Sequence, residues 1–404
     1  MTNAKSVELV EPVLPSAAVA EAQPAVTGEA KKSQRFFHLD ALRAALMFWG
    51  ILVHASTVER TAIFRGIAEV SGLVRMEAFF VISGFLAYML LKKYGAKTTV
   101  KKRLVAIGVP FLTALVALNP VTNYLIFIFH NHALPFADYL AGKGAADGAG
   151  PMNWHLHLWF LVALFIYSLL APVIGRVVDV IMQDSAGRTP RPWTLGKLAP
   201  IVPGLKFFAI CLMVCAACVA SRVVFELIKP ALHVEAHFVV RSIGNFLPYY
   251  ALGMVLFASP QLRANFSKVH GFQVVLSVIL LFVAHRTAGE NPGRLHEVAI
   301  LVSQTYLAVC LSSFLFWFAG KCVRKENPVA RSLSEAAYSV YLFHFLVLYV
   351  FAFLVRPLVA DPIALLVVIS AATFVTTLCL HRFVIRRIPV LELLFNGKPL
   401  RRSK

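Results

Sequence analysis

From residue 38 almost to its C-terminus, the chain alternates apolar stretches of about twenty residues with short polar connections. A helix needs ~20 apolar residues to cross a ~30 Å hydrocarbon core, and in lipid its backbone must satisfy its own hydrogen bonds. The pattern therefore predicts an all-α integral membrane protein. Hydropathy places about ten spans, at 38–57, 74–92, 104–129, 156–178, 205–228, 239–258, 271–286, 297–319, 335–355 and 362–385. The third is overlong and contains Pro110 and Pro120, which predicts a kink or a break. Composition agrees, with 59% hydrophobic and 15% charged residues, where a soluble domain carries about 25% charged. No separate soluble domain fits between the spans.

The net charge of +19 raises nucleic-acid binding, but the position of the cations argues against it. They cluster in short loops, as in Lys92-Lys93, Lys101-Lys102-Arg103, Lys321 with Arg324-Lys325, and Arg386-Arg387. With the N-terminus cytoplasmic, an even number of spans puts most of the 39 lysines and arginines inside, as the positive-inside rule requires. Both termini are then cytoplasmic. Residues 1–34, rich in Ala, Glu, Pro and Val, lack the apolar core of a signal peptide and read as a disordered cytoplasmic tail. Residues 35–390 read as the membrane domain, and 391–404 as a basic cytoplasmic tail. The six cysteines lie in or beside apolar spans and form neither a disulfide framework nor a metal-ligand spacing.

Within the first span, Asp40, Arg43 and His54 share one side of a helix. The eleven steps from Arg43 to His54 make three turns with ~20° to spare and a rise of ~16 Å, more than half the hydrocarbon core. Ionisable groups at membrane depth are expensive and face a cavity or a partner. His54, near the outer end, suits a general base acting on a hydroxyl from outside. Arg43, at the inner mouth, suits a phosphate-bearing donor arriving from the cytoplasm. The competing reading is an Asp40–Arg43 pair that anchors the helix end and a merely hydrogen-bonded His54.

Further polar residues recur in later spans. Arg75 and Glu77 open the second span near the level of His54, where they would hold an anionic acyl group or a sugar, or simply anchor at the interface. Ser83-Gly84 are small residues suited to close helix approach. The segment from Trp154 to Phe160 resembles an aromatic belt, yet His157 is positioned to line the same outer cavity as His54. His344 in the ninth span and Arg222 and Arg241 in the fifth and sixth need partners inside the bundle. No phosphate loop, dinucleotide fingerprint or nucleophile elbow is present, so any chemistry comes from scattered helix positions. Two classes stay open at this point: an enzyme working across the membrane, and a secondary transporter exporting an acidic metabolite or sugar. The absence of an inverted repeat argues against the second.

Several segments, in order, resemble the membrane-bound acyltransferase-3 family. They are Leu39-Asp40-Ala41-Leu42-Arg43 with His54, Phe79-Phe80-Val81-Ile82-Ser83-Gly84-Phe85, His157-Leu158-Trp159-Phe160, and Tyr338-Ser339-Val340-Tyr341-Leu342-Phe343-His344. Within that family the resemblance is nearest to its glucan-succinylating branch, through Arg75-Met76, Gly108-Val109-Pro110, Phe246-Leu247-Pro248-Tyr249-Tyr250-Ala251-Leu252-Gly253 and the tail from Arg387 to Pro399. It implies a multi-pass enzyme of the bacterial inner membrane that takes acyl-CoA, succinyl-CoA above all, as donor substrate and a periplasmic glucan as acceptor, with no permanently bound cofactor or metal. It implies catalytic roles for His54, Arg75 and His157, and donor contacts by Asp40, Arg43 and Arg103. Glu77, Arg222 and His344 are further candidates to line the site. The chain departs from the family's paired arginine in the third helix, where Ala106 follows Lys101-Lys102-Arg103.

Overall fold

A computed structural model describes residues 36–143, 155–187, 202–287 and 293–399. The N-terminal tail predicted for 1–34, the last residues of the C-terminal tail and Trp154 lie outside these. The described residues are helical, with no strand among them. In chain order the helices are α1 (Phe37–Ala55), α2 (Ala62–Tyr94), α3 (Ala96–Thr113), α4 (Asn119–His130), α5 (Phe136–Leu140), α6 (Trp159–Gly187) and α7 (Val202–Ile228). They continue as α8 (Val234–Ala258), α9 (Pro260–Phe266), α10 (Gly271–Thr287), α11 (Arg294–Cys322), α12 (Pro328–Val355), α13 (Pro362–Cys379) and α14 (Pro389–Asn396).

By length and composition, seven helical segments among the described residues are able to cross a membrane, or eight if α9 and α10, bent by 66°, form one broken span. Every stretch predicted as a span is helical, but the predicted number was about ten. Two long helices, α1 and α8, fall outside the apolar set. Their interiors carry the polar groups of interest, Asp40, Arg43 and His54 in α1 and Arg241 and Asn245 in α8, which dilute the hydropathy of spans otherwise long enough.

The predicted break in the third span is a π-helical turn, Ala114–Leu118, between α3 and α4, with Pro120 in the first turn of α4 where its missing N–H costs nothing. The second span is longer than predicted. Thr61 caps α2 by accepting a hydrogen bond from the Phe64 amide, and no proline follows before Arg75, so the helix starts thirteen residues earlier than Arg75. Arg75 therefore sits ~20 Å inside α2 rather than at its mouth.

At the centre, α2 packs along α8 and α1 along α12. The first crossing is backbone to backbone. A Cβ on Gly84 would lie 1.8 Å from the Tyr250 carbonyl oxygen, and one on Gly253 would lie 2.0 Å from that of Val81. Gly84 is thus a packing residue, as its small size suggested. The stretch predicted to leave the membrane domain at 390 instead continues as α14, which lies against α3. Gly397, in the left-handed region at φ 62°, ends α14 with no room for a Cβ, the backbone of Ala106 being 2.4 Å from where it would stand.

Candidate active site

Both ends of the α1 stripe face α12. Near the start of α1, Arg43 is 3.9 Å from the Asp40 carboxylate and donates to the Ser334 hydroxyl at 3.3 Å. Near its end, the His54 ring lies 5.1 Å from that of His344 and 4.4 Å from that of Phe345. Arg43 thus meets the first turns of α12 and His54 its middle, so the two helices run in the same direction. The helical periodicity that puts Arg43 and His54 on one side of α1 is realised as one shared interface.

His157 completes a triangle of imidazoles, 6.0 Å from His54 and 5.1 Å from His344 between ring centroids. Tyr341 holds the other two. Its backbone carbonyl accepts from His344 Nδ1 at 2.7 Å and from His157 Nε2 at 3.1 Å, and its phenol donates to the His157 carbonyl at 2.6 Å. A carbonyl only accepts, so each ring carries its proton on the nitrogen facing it. The remaining nitrogens, His157 Nδ1 and His344 Nε2, are therefore lone-pair acceptors. Both are buried without a hydrogen-bond partner among the described residues. His157 follows a strained turn in which Leu156 adopts φ 42°, a conformation that persists only where its surroundings hold it.

Arg75 brings the complementary donor. It is tethered to Ser71, one turn earlier in α2, through an Nε hydrogen bond of 2.8 Å. Its guanidinium crosses α1 at Gly50, where a Cβ would be 2.9 Å from Nη1. Gly50 lies one turn before His54, so the missing side chain lets the cation reach the imidazoles. Arg75, His54, His157 and His344 line one cavity of about 60 Å³ together with Trp159 and Tyr341. Such a site offers acceptor nitrogens to an incoming hydroxyl and a guanidinium to a carbonyl oxygen. Among the described residues, no group of three or more His, Cys, Asp or Glu side chains is arranged to hold a metal ion.

The sequence of an acyltransferase domain matches residues 36–382, which contain every residue of this cavity. The chain belongs to the membrane acyltransferase-3 family. This acyltransferase is similar to glucans biosynthesis protein C of Escherichia coli strain K12, with 27% identity over 387 residues, 91% of this chain and 96% of that protein. The protein of the same name from Escherichia coli O157:H7 is likewise 27% identical over 91% of this chain. No solved structure matches it. Membership does not favour the exporter reading, and the apolar helices make the acyltransferase a multi-pass membrane protein.

The structure divides the remaining candidates among separate places. Asp40 and Arg43 lie at the far end of α1 from the imidazoles. Arg103 on α3 donates to Ser168 on α6 at 3.1 Å and is near enough to Tyr250 and Tyr338 to act on both hydroxyls electrostatically. Glu77, two residues from Arg75 and so on the opposite flank of α2, does not line the imidazole cavity. It is directed toward Cys218 and Tyr249, and its Oε2 is buried with no hydrogen-bond partner among the described residues. Arg222 does not line that cavity either; it pairs with Glu226 at 3.1 Å and borders a second cavity. His155 stacks on Phe238 at 5.7 Å, away from His54.

Two members of the site went unnoticed in the sequence. Gly50 had a usable signal, being four residues before His54 on the same helix face. Tyr341 stands three residues before His344, but its part is played mainly by a backbone carbonyl, which any residue type would supply.

Proposed function

We propose that this acyltransferase moves a succinyl group from cytoplasmic succinyl-CoA to hydroxyls of a periplasmic glucan at the inner membrane, both termini being cytoplasmic. The observation that carries the reading is the meeting of three imidazoles, two with unused buried acceptor nitrogens, and the Arg75 guanidinium around one small cavity. His54 has no hydrogen-bond partner for its ring among the described residues, and it borders that cavity, so it is the base. It takes the proton of the acceptor hydroxyl as the oxygen attacks the thioester carbonyl. Arg75 stabilises the negative charge that develops on the carbonyl oxygen. Collapse of the adduct breaks the carbon–sulfur bond, the proton passes from His54 to the leaving sulfur, and the products are a glucan ester and free CoA thiol. His157 and His344 accept from the acceptor's hydroxyls and hold the attacking one in line.

Arg43 and Arg103 hold the donor phosphates at the inner mouth, and Asp40, 3.9 Å from Arg43, orients that guanidinium. The ~16 Å rise from Arg43 to His54 is comparable to an extended pantetheine arm, and Ser334, Tyr338, Tyr341 and His344 mark the same length of α12. The glucan acceptor is supported by the similarity to glucans biosynthesis protein C. The test is mass spectrometry of periplasmic glucans from cells carrying the wild type, His54→Ala or no protein. Succinyl-sized increments with the wild type alone support the reading; equal masses in all three overturn it.

A further inference from the structure

A second cavity, of about 310 Å³, opens between α7, α8 and α11. Its polar lining is Arg222, Arg241, Asn245, Glu297 and Gln304. Arg222 lies six residues before the end of α7, and Arg241 seven residues after the start of α8, ~9 and ~10 Å from those ends. Asn245 and Gln304 lie deeper, ~16 and ~15 Å from the starts of α8 and α11. The polar lining thus runs about three turns into α8 and α11, farther than the capping of helix ends requires.

The cleft is lined by two arginines and one carboxylate, Glu297, and a second carboxylate, Glu226, stands beside the lining. Arg222 is paired with Glu226 at 3.1 Å, and Arg241 feels the like charge of Arg222 first and then the carboxylates of Glu226 and Glu297. A phosphate or carboxylate ligand would meet those carboxylates as well as the arginines. What suits the lining is a neutral ligand dense in hydroxyls. Guanidinium, amide and carboxylate groups form planar, paired hydrogen bonds with such a ligand, and Val298, Ile300 and Leu301 supply an apolar wall for its C–H face.

The helix α8, which lines the cleft, also carries contacts to the imidazole cavity. Asn245 precedes Phe246, whose ring stacks on Trp159 at 5.6 Å, and Trp159 lines the imidazole cavity. Trp159 in turn meets the exposed ring of Phe238 at 5.8 Å. Two aromatic residues of α8, Phe238 and Phe246, thus join this helix to the imidazole cavity. We propose that the cleft between α7, α8 and α11 is a carbohydrate subsite, which holds sugar units of the acceptor flanking the one that receives the acyl group. The inference rests on the acyltransferase acting on a glycan, as proposed above, but it makes its own demand on binding.

The experiment is calorimetric titration of the full chain in nanodiscs with a linear glucan oligosaccharide and with methyl glucoside. The proteins compared are the wild type, His54→Ala and the double variant Asn245→Ala/Gln304→Ala, which leaves the charge pairs intact. Matched elution and thermal unfolding establish that the double variant is folded. The oligosaccharide is expected to bind the double variant about tenfold more weakly, the loss of one or two hydrogen bonds, and His54→Ala as well as the wild type. Methyl glucoside affinity is expected to be the same in all three. Equal oligosaccharide affinity in the wild type and the double variant, or no oligosaccharide binding to the wild type, overturns the inference. Selective binding without any acyl transfer would leave the subsite standing and sink the proposed reaction. Transfer with unchanged binding would do the reverse.

Discussion

The imidazole of His54 lies 5.1 Å from that of His344, and the same two helices meet again where Arg43 donates to Ser334. Eleven residues of α1 are matched by ten of α12, so a polar seam runs between parallel helices from one end of the bundle to the reacting groups. If His54 is the base on that seam, His54→Ala should lower kcat for acyl transfer by about 10²- to 10⁴-fold, in a protein that still folds despite the lost packing against Phe345. Steady-state assay of succinyl transfer from succinyl-CoA checks this. A variant retaining most of its kcat would remove His54 from the chemistry.

Gly50 offers a sharper test because it has no side chain of its own to take part in the chemistry. A Cβ there would stand 2.9 Å from Arg75 Nη1, and the guanidinium is the movable partner. Gly50→Ala should therefore displace the cation from the cavity and leave the helices where they are. The expected result is a fall in kcat approaching the 10²- to 10³-fold loss typical of removing an oxyanion donor, at nearly unchanged melting temperature. Equal activity of Gly50→Ala and the wild type would mean that Arg75 does not serve the reaction.

Gly84 is the structural counterpart. Its Cβ would collide with a backbone oxygen of α8 at 1.8 Å, and backbone cannot swing aside. Gly84→Ala should cost more than about 3 kcal/mol, seen as loss of folded protein after detergent extraction. Gly66, with nothing within 4 Å of its Cβ position, is the control: Gly66→Ala should extract normally. The contrast separates a helix crossing from a mere preference for small residues.

The site was legible in the sequence where one helix carries the information. Arg43 and His54 share α1, so periodicity alone predicts their common side. Arg75 was visible as a residue but misplaced, because the polar stretch before it looked like a loop until Thr61 capped it into α2. Arg222 was expected near the site, yet it borders the neighbouring cavity; a single sequence says that a buried arginine needs a partner, not which helix supplies it. The span number differs for a related reason: α1 and α8 both read as spans in the sequence, and their polar residues leave them outside the apolar set of seven or eight. Tyr341 was obscure because its carbonyl, not its side chain, fixes two imidazole tautomers.

The last prediction concerns the end of the chain. Gly397 adopts φ 62° and stands against the Ala106 backbone, and beside it Asn396 accepts from the Ser339 hydroxyl at 2.7 Å, the same hydroxyl that lies 2.8 Å from His381 Nδ1. This knot joins α14 to α3, α12 and the π-helical end of α13, near Tyr338 and hence near the level of Arg103. Gly397→Ala combines about 1 kcal/mol of left-handed strain with a clash against backbone, so α14 should come away from α3. Asn396→Ala removes the hydrogen bond alone and should act more mildly. Limited proteolysis should cut Gly397→Ala within 389–399 much faster than either Asn396→Ala or the wild type. If α14 also shapes the inner mouth, KM for succinyl-CoA should rise in Gly397→Ala while kcat holds, because Ser339, which α14 meets, lies ~8 Å along α12 from His344 and bonds to Asn396 and His381 rather than to the imidazoles of the cavity. A fall in kcat at constant KM would instead mean that the tail acts on the reacting groups themselves.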